Sequence, residues 1–360
     1  MQKIRRASFV VGAFAIGLMA GCTGPGSGPA NSAPLSHASS IADATDAYWV
    51  SSGTTIQRQS KSGGAVSVFL TEPCGGVGAV AADDGYVYWS HGYTSLTCTA
   101  SVSRMPKGGG PIEVLATGLI FNERGGIVLD DQAVYLVAVA LTAAELVSGS
   151  DGSGDTRSKV YSVAKSGGTP VPIAGPIARG DAAVDGQGRV YWLSLLGEPT
   201  PETLSTTSIM RTDRDGTTTS LATVTGHVAT LAFFGNRIYW VVSGYHLNNI
   251  CMECDTPTIV QSMGPGDLAP VTVVTLAAGS LIHDAIVDPN GLWLSLEGTR
   301  SGLDFEGIPR IDDHTGVLLH VPSGGSPAAV LTDLPFWSDL TVDDTTVFAT
   351  GDTAPLLVAK

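Results

Sequence analysis

Eight residues, Asp83-Asp84-Gly85-Tyr86-Val87-Tyr88-Trp89-Ser90, return in degenerate form along the whole chain, and this recurrence restricts the fold more than any other feature. Aligned on the aromatic pair, seven copies run Asp43 to Trp49, Asp83 to Trp89, Asp130 to Leu136, Asp185 to Trp192, Phe234 to Trp240, Asp288 to Leu294 and Asp343 to Ala349. A short apolar stretch precedes each copy, for example Ala79-Val80-Ala81 or Leu340-Thr341-Val342. Asp, Gly and Asn supply the turn, while Tyr, Trp and Val suit a pleated buried face, so each copy predicts a β-hairpin.

A second hairpin follows in six of the seven copies, as in Val102-Ser103-Arg104 to Gly109-Gly110 and Leu318-Leu319-His320 to Gly324-Gly325. Two hairpins per unit make a four-stranded antiparallel sheet, and such units repeating every 40 to 55 residues or so mark a β-propeller. The expected fold is all-β: a seven-bladed β-propeller of four-stranded antiparallel blades, with a six-bladed ring as the alternative. The seventh copy reaches Leu356 to Lys360, which aligns with a third strand. The last blade is therefore expected to be incomplete or to be closed by an N-terminal strand from Ala33 to Ser39, which would blunt its exposed edge.

Tyr-Trp in the second strand, followed by Arg-x-x-x-x-Gly-Gly in the next hairpin, resembles the YWTD propeller repeats, over roughly residues 40 to 360. The copies depart from that pattern after the aromatic pair: Trp89 is followed by Ser90-His91, Trp192 by Leu193-Ser194 and Trp240 by Val241-Val242. YWTD propellers also usually have six blades. The resemblance implies the fold and an extracytoplasmic binding or scaffold role, and it transfers no catalytic residue.

Lys3, Arg5 and Arg6 precede an apolar run from Ala7 to Ala20, the layout of a secretory signal and too short to span a bilayer comfortably. The run ends Leu18-Met19-Ala20-Gly21-Cys22, which resembles a bacterial lipobox whose Cys carries diacylglycerol and a further acyl chain such as palmitate. The chain then divides into a signal peptide (1–21), a Gly/Pro/Ser-rich flexible tether (22–38) and the propeller (39–360). Lipid on Cys22 would anchor the protein firmly to a membrane. By the same resemblance, Thr23 after the Cys favours the outer membrane, facing the periplasm or cell surface, in a Gram-negative host. The formal net charge of −14 becomes more negative when the three basic leader residues are removed, which disfavours nucleic acid as a partner.

In an oxidising compartment the remaining cysteines, Cys74, Cys98, Cys251 and Cys254, are expected in disulfides. The blade assignment brings the loops of Cys74 and Cys98 to one face. Cys251-Met252-Glu253-Cys254 lacks the helix start of a redox CxxC and the second ligand pair of a zinc site, so a local bridge is preferred.

Two surfaces are candidates for function. The connections between second and third strands are long in five blades: His91 to Ser101, Leu141 to Lys159, Leu195 to Ser208, Gly244 to Thr258 and Gly298 to Gly316. They share one face, where binding on a rigid scaffold usually resides. The second surface is the channel mouth, reached by the residues four positions before each first aspartate: Ser39, Ala79, Gly126, Asp181, Thr230, Asp284 and Asp339. Asp181, Asp284 and Asp339, with Arg179, His227 and His283 nearby, would suit Ca²⁺ through oxygen ligands. They would equally suit turn capping or amide binding between blades, which is the preferred reading.

No Ser-His-Asp order, phosphate-binding glycine loop or HExxH is present. The function expected is thus a lipid-anchored extracytoplasmic propeller that binds protein or glycan through its long-loop face and is not an enzyme. The alternative is a metal-dependent hydrolase or lyase with its chemistry at the channel mouth.

Overall fold

The computed structural model describes residues 40–360 apart from 44, 52, 74–75, 93–99, 122–125, 141–157, 178–181, 186, 196–205, 244–245, 248–249, 252–256, 279, 281, 297–299, 304–308, 312–315, 324, 335–338, 343–344 and 351–355. All regular structure among the described residues is strand, in seven successive antiparallel sheets. The first sheet is β1 (Ser40–Ala42), β2 (Asp46–Ser51), β3 (Thr55–Ser60) and β4 (Ser67–Thr71); the second is β5 (Val77–Ala82), β6 (Tyr86–His91), β7 (Ser101–Pro106) and β8 (Glu113–Thr117). The third contains β10 (Ile127–Leu129), β11 (Ala133–Ala140), β12 (Lys159–Ala164) and β13 (Val171–Ala174), with a short β9 (Leu119–Phe121) added alongside the far end of β11. The fourth is β14 (Ala182–Val184), β15 (Val190–Leu195), β16 (Thr206–Thr212) and β17 (Thr218–Thr225).

The fifth sheet pairs β18 (His227–Phe234), β19 (Arg237–Ser243), β22 (Pro257–Met263) and β23 (Val271–Ala278). Between β19 and β22 lies a separate two-stranded hairpin, β20 (His246–Leu247) with β21 (Ile250–Cys251). The sixth pairs β24 (Ile282–Asp288), β25 (Gly291–Leu296), β28 (Gly316–Pro322) and β29 (Ala328–Leu334), and its second-to-third connection carries the hairpin β26 (Arg300–Leu303) and β27 (Pro309–Ile311). The seventh has three strands among the described residues: β30 (Asp339–Val342), β31 (Thr346–Thr350) and β32 (Leu356–Ala359). The first strands touch in circular order, β1 to β5, β10, β14, β18, β24, β30 and back to β1, so the molecule is a closed seven-bladed propeller. The third-strand assignment of Leu356 to Lys360 holds, whereas Ala33 to Ser39 lies outside the described residues.

The aromatic pair has a structural purpose that follows from the two-residue period of a strand, in which neighbours face opposite sides. Tyr88 packs toward the third blade and Trp89 toward the first. Tyr191 faces the fifth blade and Trp192 the third; Trp293 faces the seventh and Leu294 the fifth. The core is accordingly not one centre but a cluster at each interface between neighbouring blades. At the seam between the last and first blades, the cluster among the described residues is Phe348 against Ala47.

The repeated aspartate ties the turns to the ring. In the second blade Asp83 Oδ1 accepts the amides of Gly85 and Tyr86 at 3.0 and 2.9 Å, closing the turn. Its Oδ2 accepts the Tyr88 hydroxyl at 2.7 Å and the Lys165 ammonium of the third blade at 2.8 Å. Asp130 repeats the arrangement with the amides of Gln132 and Ala133, the Tyr135 hydroxyl and Arg214 of the fourth blade. Asp43 takes Lys107 of the second blade at 2.5 Å, and Asp288 takes Lys360 of the seventh. The fifth blade has Gly264-Pro265-Gly266-Asp267 where the first four and the seventh place their base, and there Asp185 is paired within its own blade by Arg189.

Candidate functional site

Because the Asp turns and the basic residues after the third strands meet one another, those two sets of turns occupy one face of the ring. The second-to-third connections must then leave from the opposite face. On the aspartate face the first hairpin closes tightly, with Asp83 to Gly85 joining β5 to β6 and Gly235-Asn236 joining β18 to β19. On the opposite face the connection from β11 to β12 runs over 141–158, that from β15 to β16 over 196–205, and that from β25 to β28 over 297–315. Two of these connections build hairpins of their own, β20–β21 and β26–β27, which the repeat alignment did not foresee because they lie in segments without the repeat pattern.

The inner strands are irregular at the level singled out in the sequence. The β5–β6 register shifts between Val77 and Ala79, the β18–β19 register between Val228 and Leu231, and the β24–β25 register between Ile282 and Asp284. A bulge leaves one residue unpaired and re-aims its neighbours, a common device near functional sites and at barrel rims. Ala79, Thr230 and Asp284 all lie at these shifts and are 0, 3 and 4% exposed. Ser90 supports the first bulge, its Oγ accepting the Ala79 amide at 3.1 Å.

Asp284 occupies the inner ring as an inter-blade staple. Its Oδ1 accepts the amide of Ala285 at 2.8 Å, and its Oδ2 accepts the amide of Leu340, in the next blade, at 2.7 Å. A carboxylate held in this way satisfies a main-chain donor of β30 that the sheet leaves open.

Asp339, His227 and His283 lie in strands β30, β18 and β24, but their side chains are outside the described part, as are Asp181 and Arg179 altogether. The structure therefore brings Asp284 alone of the candidate set into view. No group of three metal-binding side chains occurs among the described residues. Cys22, Cys74, Cys98 and Cys254 are outside the described residues, and Cys251 is placed only as the last residue of β21. No helix among the described residues is long and apolar enough to cross a membrane.

The chain matches no protein-family model and no curated protein by sequence. Among solved structures it is similar to the tricorn protease, with a TM-score of 0.57 at 14% identity over 93% of this chain and 36% of that one. It is also similar to a puromycin hydrolase, with a TM-score of 0.54 at 13% identity over 88% of this chain and 49% of that one. A prolyl endopeptidase matches with a TM-score of 0.52 at 11% identity, over 91% of this chain and 50% of that one. The chain spans half or less of each of these proteins, and the likeness is one of fold.

Proposed function

We propose that the protein is a lipid-anchored, extracytoplasmic propeller that binds a protein partner through its long-loop face, with a glycan as the other class of ligand that face suits. The observation that carries this reading is the asymmetry of the ring: tight turns on the aspartate face, and connections such as 141–158 and 297–315 on the other. A closed ring of seven packed interfaces is a rigid support, and variable loops on such a support are where recognition resides. The five long connections hold eleven Asp or Glu against four Lys or Arg, so their field favours a partner with a cationic patch. The Ala20-Gly21-Cys22 sequence supports lipid attachment, and the YWTD-like repeat supports a bacterial extracytoplasmic binding role. The amides of Ala285 and Leu340 give Asp284 a structural role as a staple between blades, which agrees with a scaffold.

Two experiments test the two halves of this reading. Cys22→Ser should leave the protein unprocessed or released from membranes, and a variant that fractionates with lipid as wild type does would sink the anchor. For binding, residues 141–157 and 304–315 are each replaced by a short Asn-Gly turn, and partners are crosslinked in the native envelope at low and high salt. Specific crosslinks should disappear with the loops and weaken with salt. An unchanged crosslink pattern in both loop variants would refute the long-loop face as the binding surface.

A further inference from the structure

We propose that Glu72, His91, Ser101 and Ser103 form an acid-sensitive latch between the first and second blades, beneath the long-loop face, and that this seam is the first to loosen as pH falls. Glu72 directly follows β4, on the connection that leads from the first blade into the second. His91 ends β6 and Ser101 begins β7, where the two are cross-strand partners. Trp89, two residues before His91 and on the same side of its strand, donates its indole N–H to Glu72 Oε2 at 2.8 Å. His91 Nε2 is hydrogen-bonded to Ser101 Oγ, which lies 3.1 Å from Ser103 Oγ. The remaining ring nitrogen, Nδ1, stands 3.8 Å from Glu72 Oε1 and has no hydrogen-bond partner among the described residues.

These are the residue types of an acyl-transfer triad, but the geometry is not that of one. The orienting distance of 3.8 Å exceeds a hydrogen bond, and Ser101 is 2% exposed, so no reacting carbonyl reaches its hydroxyl. Glu72 and His91 are nearly as closed, at 6 and 7%. What the arrangement does well is hold a neutral imidazole. Burial pushes the His91 pKa below its ordinary 6.5, and the Glu72 charge offsets this only in part. Its cross-strand partners, Val77 of β5 and Ser101 of β7, bring no titratable group.

The sign follows from linkage. The closed seam holds His91 neutral below pH 6.5, whereas an opened seam lets it regain its ordinary affinity and bind a proton. Protonation therefore draws the equilibrium toward the open form as pH falls below 6.5, by up to about tenfold per pH unit until the folded group itself titrates. The seam is sensitive because Glu72 and Trp89 link the connection between blades directly to the strand that carries the histidine.

Hydrogen exchange read by mass spectrometry on the intact chain, at about pH 7.5 and about pH 5 with intrinsic rates corrected, tests the latch. Peptides from β5 to β7 should show opening that rises more steeply than in β15 to β17, which hold no histidine and serve as the internal control. His91→Gln, which keeps a polar side chain that does not titrate, should abolish that excess. NMR titration of the wild-type imidazole gives a readout independent of any variant's folding: a His91 pKa below 6.5 is expected, lowered further in Glu72→Gln. A pKa at or above 6.5, an equal pH response in all blades, or an excess that survives His91→Gln would overturn the proposal.

Discussion

Replacing Asp83 by Ala removes the acceptor for four donors at once, and the structure allows the cost to be assembled. The amides of Gly85 and Tyr86 lie in an exposed turn and can turn to water, so losing their bonds should cost about 0.5–1 kcal/mol each. The Tyr88 hydroxyl belongs to a residue only 1% exposed and would be stranded, for about 1–2 kcal/mol. Lys165, whose side chain is 18% exposed, would lose its counter-charge, for about 1 kcal/mol after screening. Asp83→Ala should thus destabilise by about 3–5 kcal/mol, and Asp83→Asn, which keeps Oδ1 as a turn acceptor, by about 1–2 kcal/mol. Lys165→Met should cost about 1 kcal/mol, and the double-mutant cycle with Asp83→Asn should return a coupling near that value.

Urea unfolding followed by tryptophan fluorescence measures each free energy. A loss below about 1 kcal/mol for Asp83→Ala, or a coupling of zero with Lys165, would show that the aspartate closes its own turn but does not join blades. The pH dependence adds a second check. Burial raises the Asp83 carboxyl, but hydrogen bonds from Lys165, Tyr88 and the turn amides outweigh it and hold the pKa below the ordinary 3.8. Its contribution is therefore complete above 3.8 and lost as pH falls through the lower folded value, so Asp83→Asn should flatten the acid limb of the stability curve.

Burial, with the nearby aspartates, pushes the phenols of Tyr48 and Tyr191 up to about 12, and those of Tyr88 and Tyr135 upward as well. Stability from these groups is complete below their ordinary 10.0 and lost as pH rises through the folded values; ultraviolet titration should show them unionised up to alkaline unfolding, and full ionisation near 10 in the folded state would contradict this. Phe348→Ala should cost about 3–5 kcal/mol and raise hydrogen exchange in β1 and β30 before other inner strands, whereas a uniform rise would show that the Phe348–Ala47 seam is not where the ring opens. Gly291 has φ +144° and a Cβ there would lie 2.2 Å from the Val321 carbonyl oxygen, so Gly291→Ala should lose at least about 2 kcal/mol by urea unfolding; a neutral result would place the β25–β28 pairing in doubt. A Cys74–Cys98 disulfide should add about 3 kcal/mol of stability, and a non-reduced peptide joining Cys74 to Cys251 or Cys254 would contradict the loop assignment.

The sequence by itself determined the architecture, because a propeller writes its unit into the chain seven times. Local chemistry was enough for each piece: Asp-Gly turns, a Tyr-Trp pair split to opposite sides by the strand period, and a third strand of the last blade at Leu356 to Lys360. Even the choice of seven over six could be counted. Contacts between units could not, since they depend on which residue of one copy meets which residue of the next. The basic residues Lys107, Lys165, Arg214 and Lys360 stand at matching positions after third strands, a signal present in the sequence, but only the ring shows that each reaches the aspartate of the preceding blade. Asp284 was legible as a carboxylate of the inner ring, yet its choice of the Leu340 amide was decided by a bulge at the preceding residue and by a neighbour 56 residues away. The Glu72–His91–Ser101 cluster was invisible for the same reason. Glu72 comes from a linker and the other two from strands joined across a long connection, and side chains so separated meet only when the sheet and its neighbour close on them.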